Sequence, residues 1–490
     1  MKTKTILCMT MSLHFAIGVS TYVEAQSRTN QPAVHDALEG SDINSARSEA
    51  VEKLALQIMK TPVVQQAIAR GLERYAASDV ANKPEAMRHA KSAMDETAML
   101  ASLNAAMGAV PEPTFVWVYA APRRWHGHTL PGSRWYADNA DALYRSARVD
   151  DTSSYEVTAQ LGKIMPSQFT VMLYDWLQFE SGTTERLDVP VDTMEVTDAT
   201  PRNPDGSVTF TVGPEPANGR ANHLQLKPGV KQIFIREIRG DGSLPPVSMS
   251  IKRTKGEAPK SKSLDQLAQE AALYVDSGVE GTLKITLVMG NLAENQPGAL
   301  RVRYVKETGS PDQKLVMSEP LGPDKALGFV SNFILNLKED EALILTLNMM
   351  GTKYLSINSY RPFLVSPEHV YRTSSLNNYQ TQANPDGSIT FVFARKDPGV
   401  HNWIDSSGIP FGYVAIRWQT LTHPVAGTLK NGVQMVQTVN LAELRSSLPP
   451  TTKWVTKDER VEQRKTRAKQ FMLRCLGTPA EVGGELDNPY

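Results

Sequence analysis

NPDGSVTF, residues 203–210, and NPDGSITF, residues 384–391, stand 181 positions apart in a chain of 490 residues. Each places an Asp-Gly pair at a turn and then alternates as a strand, the pattern of a hairpin. The two copies continue alike. The first runs through Asn222 to the stretch Gln232–Ile238, which holds Arg236. The second runs through Asn402-Trp403 to Gly412–Trp418, which holds Arg417. Turn, strand, loop asparagine and arginine-bearing strand recur in one order, so the chain carries two related β-domains.

The texture around both copies agrees. Short β-rich runs separated by Gly, Pro, Asn and Asp begin near residue 114: Thr114–Tyr119, Ser167–Tyr174 and Ser207–Val212 before Gln232–Ile238, then Leu283–Val288, Ala299–Tyr304, Ala342–Leu347 and Ser388–Phe393 before Gly412–Trp418. The stretch TKGEAPKSK, 254–262, reads as a linker, and Leu264, Leu267, Ala271 and Leu273 mark a short helix after it. Before residue 114 the period is helical. Pro62 follows Thr61 as at a helix start, Val63, Val64, Ala67, Ile68 and Leu72 share a face, and 84–108 is rich in Ala and Met. The expected organisation is a signal peptide at 1–25, a mobile arm at 26–42, a helical region at 43–113 and a first β-sandwich at 114–253. A linker and short helix at 254–277, a second β-sandwich at 278–456 and a charged tail at 457–490 follow.

Lys2 and Lys4, the apolar run Ile6–Val19, and Val23 and Ala25 ahead of a cleavage point are the order of a secretory signal. Thr10, Ser12 and His14 interrupt the run, which favours cleavage over a retained span. The expected location is therefore periplasmic or secreted, with no transmembrane segment in the mature chain. Removing Lys2, Lys4 and Glu24 leaves 50 basic against 51 acidic side chains. That balance argues against nucleic acid as a partner. Cys475 is then the sole cysteine, so no internal disulfide can form.

The segment Ser375–Trp418 resembles the bacterial family known as domain of unknown function 1214. The resemblance rests on Ser375-Leu376-Asn377, Asp386-Gly387, Asp397-Pro398-Gly399, Asn402-Trp403-Ile404-Asp405 and Arg417-Trp418. It extends upstream to Asn139, Asp141, Tyr144, Tyr155 and Gly162, and downstream to the tail VTKDERVEQRKTRAKQF, covering most of 114–475. One departure is Asn222-His223, where the second copy has Asn402-Trp403. The resemblance implies a mainly β fold, two jelly-roll-like antiparallel β-sandwiches after a helical N-terminal region. It implies no activity.

For chemistry, the richest unit is Asn402, Trp403, Asp405, Arg417 and Trp418. Directional polar groups beside flat aromatic faces suit a sugar or another polar ring. They are expected near one another at a partly open cleft. The competing structural reading is a turn at Asp397-Pro398-Gly399, a loop capped by Asp405, and an arginine paired with a carboxylate. His126 and His128, two apart, could hold a metal with His223 or His401, but no HExxH and no cysteine pair accompanies them, so neither metal nor cofactor is expected. No G-x-S-x-G is present. Arg460, Arg464, Lys465, Arg467 and Lys469 read as a solvated helix face, with Val461, Ala468, Phe471 and Met472 turned to the body. The expected function is the binding of a polar or carbohydrate-like ligand on a two-sandwich scaffold. The alternative is a periplasmic hydrolase or lyase acting on a similar compound.

Overall fold

The computed structural model describes residues 38, 40–135, 137–180, 190–295, 316–317, 328–422, 432–475 and 478–479. Helices α1 (Ala46–Met59), α2 (Pro62–Ala76) and α3 (Ala90–Met107) come first. Every residue of α3 except Lys91 and Asp95 is buried. A helix apolar on all sides needs cover on all sides. That cover comes from α1, α2 and a fourth helix, α4 (Leu264–Asn295), which enters after the first sandwich. Leu267, Ala268, Ala271, Ala272, Val275 and Val279 form its inner stripe.

Helix α4 corrects two expectations. The short helix after the linker runs on to residue 295, and Leu283–Val288 lies within it instead of forming a strand. The β-branched alternation of that stretch imitates a strand, whereas Thr282, Ile285 and Thr286 are buried at helical spacing. The expected strand Ala299–Tyr304 and the signal peptide lie outside the described residues.

The first sandwich comprises β1 (Val116–Val118), β4 (Ala142–Arg148), β5 (Ser154–Gln160), β6 (Gln168–Tyr174), β7 (Asp192–Glu195), β8 (Val208–Gly213), β9 (His223–Gln225), β10 (Gln232–Ile238) and β11 (Ser248–Lys255). A small hairpin, β2 (Arg123–Trp125) and β3 (His128–Leu130), stands apart. The second comprises β12 (Val316–Met317), β13 (Phe329–Asn336), β14 (Glu341–Leu347), β15 (Thr352–Tyr360), β16 (Ser375–Asn377), β17 (Ile389–Ala394), β18 (Trp403–Asp405), β19 (Phe411–Leu421) and β20 (Val433–Asn440). The first sandwich pairs β1-β4-β10-β6-β7 with β11-β5-β8-β9. The second pairs β12-β13-β19-β15-β16 with β20-β14-β17-β18. Position by position these are the same two sheets. In both, the β8–β9 and β17–β18 pairs are parallel in otherwise antiparallel sheets.

The repeat holds to single hydrogen bonds. Asp205 Oδ1 accepts from Ser207 N (2.9 Å) and Oγ (2.6 Å), and Asp386 Oδ1 accepts from Ser388 N (3.0 Å) and Oγ (2.6 Å). Gly206 and Gly387 both have φ of 83°, a left-handed backbone that favours glycine. These local bonds are why the motif folds the same way twice.

The sandwiches differ in their covers. In β5 and β8 buried residues alternate with half-exposed ones, so that sheet keeps one wet face. In β14 and β17 nearly every residue is buried. The outer face of the second four-stranded sheet is covered by Leu444, Leu448 and Trp454, which close over Ile344, Val392 and Trp403. A sheet dry on both faces needs continuous apolar runs, and LILTL in β14 is one.

Helix α5 (Lys457–Cys475) then crosses the second sandwich, and β21 (Thr478–Pro479) pairs with β2. Ala468, Phe471 and Met472 are buried as expected, while Arg460, Arg464 and Arg467, expected in solvent, are buried too. Arg460 reaches Asp397 at 2.8 Å, and Arg467 donates to the His369 carbonyl at 2.7 Å. The end of the expected mobile arm is also fixed. Ser41 and Asp42 are buried, and Asp42 Oδ2 accepts from the backbone of Phe115 (3.1 Å) and Ile251 (3.0 Å).

Candidate functional site

The five residues expected at an open cleft are all buried, and they do not share a cleft. Asn402 is a latch. Its Nδ2 donates to the carbonyls of Gln382 (2.8 Å) and Thr390 (2.9 Å), and its Oδ1 accepts from Gln382 N. Asn222 makes the equivalent bonds to Pro201 and Thr209. Trp403 donates from Nε1 to the Ala394 carbonyl, and the guanidinium carbons of Arg460 and Arg464 lie 5.1 and 5.9 Å from its ring. Asp405 accepts from Ser407 N at 2.7 Å and pairs with Arg372 at 3.0 Å. Trp418 lies in a different apolar cluster, between the two sheets, with Nε1 bonded to the Asn348 carbonyl. Arg417 points the other way, toward the first sandwich, bonding Tyr360 Oη and the Ala137 carbonyl. The motif is scaffold: a tryptophan needs a cover, and the first copy, whose sheet keeps a wet face, carries His223 there.

Arg417 belongs to a buried polar junction that joins the sandwiches. Tyr354 Oη lies 3.0 Å from Asn139 Oδ1 and 2.8 Å from Asp141 Oδ2. Asn377 Nδ2 donates to Asp141 Oδ2 (2.9 Å) and to the Gly240 carbonyl (3.1 Å). Asn139 N donates to Tyr144 Oη. Residues that carried the resemblance in both halves thus meet in one network, a convergence invisible along the chain. Beside it, burial pushes the Asp138 carboxyl up to about 7, against the pull of Arg134. Glu195, on β7, is raised to about 7 by burial as well.

His126 and His128 face α1 rather than His223 or His401. His126 Nδ1 is 3.9 Å from Glu49, and His128 Nε2 is 3.9 Å from Glu52, which Arg123 also holds at 2.7 Å. Among the described residues no group of three or more His, Cys, Asp or Glu side chains is arranged to hold a metal ion. His223 bonds Thr211 and the Glu215 carbonyl.

A groove of about 540 Å³ lies between α5 and the second sandwich. Thr373, Tyr379 and His401 line it from the sandwich, and Gln463, Arg467 and Gln470 from the helix. Tyr379 is 53% exposed. Its ring is seated on the first sandwich at Gly240, where a Cβ would lie 2.4 Å from Cε2. Thr373 is fully buried, and its Oγ1 has no hydrogen-bond partner among the described residues. Burial, with Lys453 and Arg460 nearby, lowers the His401 imidazole to about 4, so it is neutral at ordinary pH. The groove therefore offers an aromatic surface, amides, a hydroxyl and a neutral imidazole. Sequence reasoning missed it because its two walls lie some eighty residues apart, Tyr379 falls between the quoted motifs, and Gln470 lies in a tail read as a solvated helix.

Fold and groove define a mainly β protein of two jelly-roll-like sandwiches tied by a helical layer, with a concave polar groove at the C-terminal helix. A family model described as "Protein of unknown function (DUF1214)" matches residues 139–237 and 351–417, one stretch in each sandwich. The chain carries that family's domain over these two stretches. A solved structure of an uncharacterized protein from Burkholderia cenocepacia aligns with 79% of this chain and 99% of its own, at 18% identity and a TM-score of 0.59, a likeness of fold. The VPA0106 protein from Vibrio parahaemolyticus aligns with 62% of this chain and 90% of its own, at 10% identity and a TM-score of 0.34. No curated protein matches. No helix among the described residues is long and apolar enough to cross a membrane.

Proposed function

We propose that this is an exported binding protein whose second sandwich and C-terminal helix hold a small polar, carbohydrate-like ligand. The observation that carries the reading is the groove itself: about 540 Å³, with an exposed tyrosine at its wall and a buried, unpartnered threonine hydroxyl. Ligand sites for small molecules fall in this size range and combine apolar surface with a few convergent polar groups. The sequence order Lys2–Lys4, apolar run, Val23-Glu24-Ala25 supports export.

Two measurements test it. A thermal-shift screen of the full mature chain against sugars, polyols, amino acids and small acids should find a compound that raises Tm saturably, as any ligand selective for the native state must. Thr466, exposed on α5 at the groove, gives the control. Thr466→Trp should fill the groove and abolish the shift with little change in the unliganded Tm. A shift that survives the tryptophan moves the site elsewhere and ends the proposal. For export, N-terminal sequencing of secreted material should begin near Gln26.

A further inference from the structure

We infer that the groove is built for a neutral, ring-shaped polyhydroxyl compound, a mono- or disaccharide, and not for an ion. The inference rests on the binding reading above and names its ligand class. The charged residues at the groove are mostly occupied. Glu459 accepts from Thr456 N (2.8 Å) and Oγ1 (3.0 Å), closing the N-terminal turn of α5. Glu462 pairs with Lys465 at 2.7 Å. Arg467 donates to the His369 carbonyl, to Ser375 Oγ and to Gln380 Oε1. With Glu462 balanced by Lys465, the carboxylates of Asp458 and Glu459 stand against the cations of Lys453 and Arg467, so the groove presents no net charge to recruit an anion or a cation.

What is left uncommitted is neutral and directional. Thr373, at the groove wall, keeps a buried Oγ1 without a partner among the described residues, and such a hydroxyl gains a hydrogen bond if a ligand hydroxyl displaces its thin cover. The Gln470 side chain packs against Gly242 and supplies a donor and an acceptor. Tyr379 presents a half-exposed ring held in place by Gly240, and a flat aromatic surface beside polar groups favours the C–H face of a sugar. The volume accommodates roughly one or two such rings.

Calorimetric titration of the full chain with glucose, N-acetylglucosamine, maltose and trehalose, against glucuronate, glucosamine and inorganic phosphate, decides the matter. At least one neutral sugar should bind saturably. Tyr379→Ala should weaken it by about tenfold, roughly the loss of one stacking contact. Thr373→Val should weaken it several-fold while leaving the unliganded Tm unchanged or higher, because it removes a buried hydroxyl that lacks a partner. Binding of the charged probes alone overturns this inference and leaves the binding proposal standing. Neutral-sugar binding untouched by both variants places the sugar elsewhere and overturns it too. No binding by any probe overturns both.

Discussion

Trp403 sits beneath two guanidinium groups and behind an apolar layer from residues 444–454, so its removal opens a hole in a covered face. Trp403→Ala is expected to cost about 3–5 kcal/mol in denaturant unfolding, in line with other buried aromatic truncations. A cost below about 1 kcal/mol would contradict the scaffold role assigned to it. Asp138 makes a prediction of opposite character. Burial holds its carboxyl at about 7 in the folded chain, well above the ordinary aspartate value of about 4. Below pH 4 both states hold the proton. Between 4 and 7 only the native state does, so each rise in pH favours unfolding, and the loss levels off above 7. Asp138→Asn should flatten stability against pH in that window. Glu195 contributes a slope of the same sign, and His401, lowered to about 4 from 6.5, one of the opposite sign, lost as pH falls from 6.5 toward 4. At this scale the repeated turn was readable from sequence because the side chains of Asn203, Asp205 and Ser207 bond to one another and to near neighbours. The role of Trp403 was not, since an exposed tryptophan and a covered one are spelled alike.

Helix α5 shows why elements mislead when their partners are distant. Its charge suggested a solvated face, but Arg460, Arg464 and Arg467 recur on one side and find the carbonyls of Val400 and His369 and the carboxylates of Asp397 and Asp405. Guanidinium groups satisfy such exposed backbone acceptors in a fixed fork, so a charged stripe can be a docking stripe. Ending the chain at Thr456 should uncover Trp403 and erase the groove. The expected readout is a red shift of tryptophan emission with loss of any ligand-induced Tm shift. An unshifted spectrum would mean that α5 does not shield the ring. Helix α4 failed in sequence for the converse reason: Leu283–Val288 alternates like a strand, and only its continuity with Leu267–Val279 makes it helical.

The molecule as a whole is held at its polar junction and by the helical layer. Trp135 Nε1 donates to Thr282 Oγ1 on α4 (2.9 Å), and Tyr75 on α2 stacks on Phe363 of the second half at 4.3 Å. With contacts of this kind on both sides, the sandwiches should unfold together. Calorimetry is expected to show one transition, and two resolved transitions would refute a shared core. Tyr354→Phe removes the hydroxyl that serves both Asn139 and Asp141, and should cost about 1–3 kcal/mol. Two domains were legible in the chain because the motif is repeated; their joint was not, because its donors and acceptors come from opposite ends. The split helical layer has a further consequence for how the protein is made. Helices α1 to α3 are synthesised before the first sandwich, and α4 only after it. Until α4 arrives, the apolar surface of α3 has no complete partner, and a newborn chain carries it exposed while more than a hundred further residues are added. Such a chain is most prone to aggregate at mid-length, when its first sheets are complete and its earliest helices still wait for their fourth.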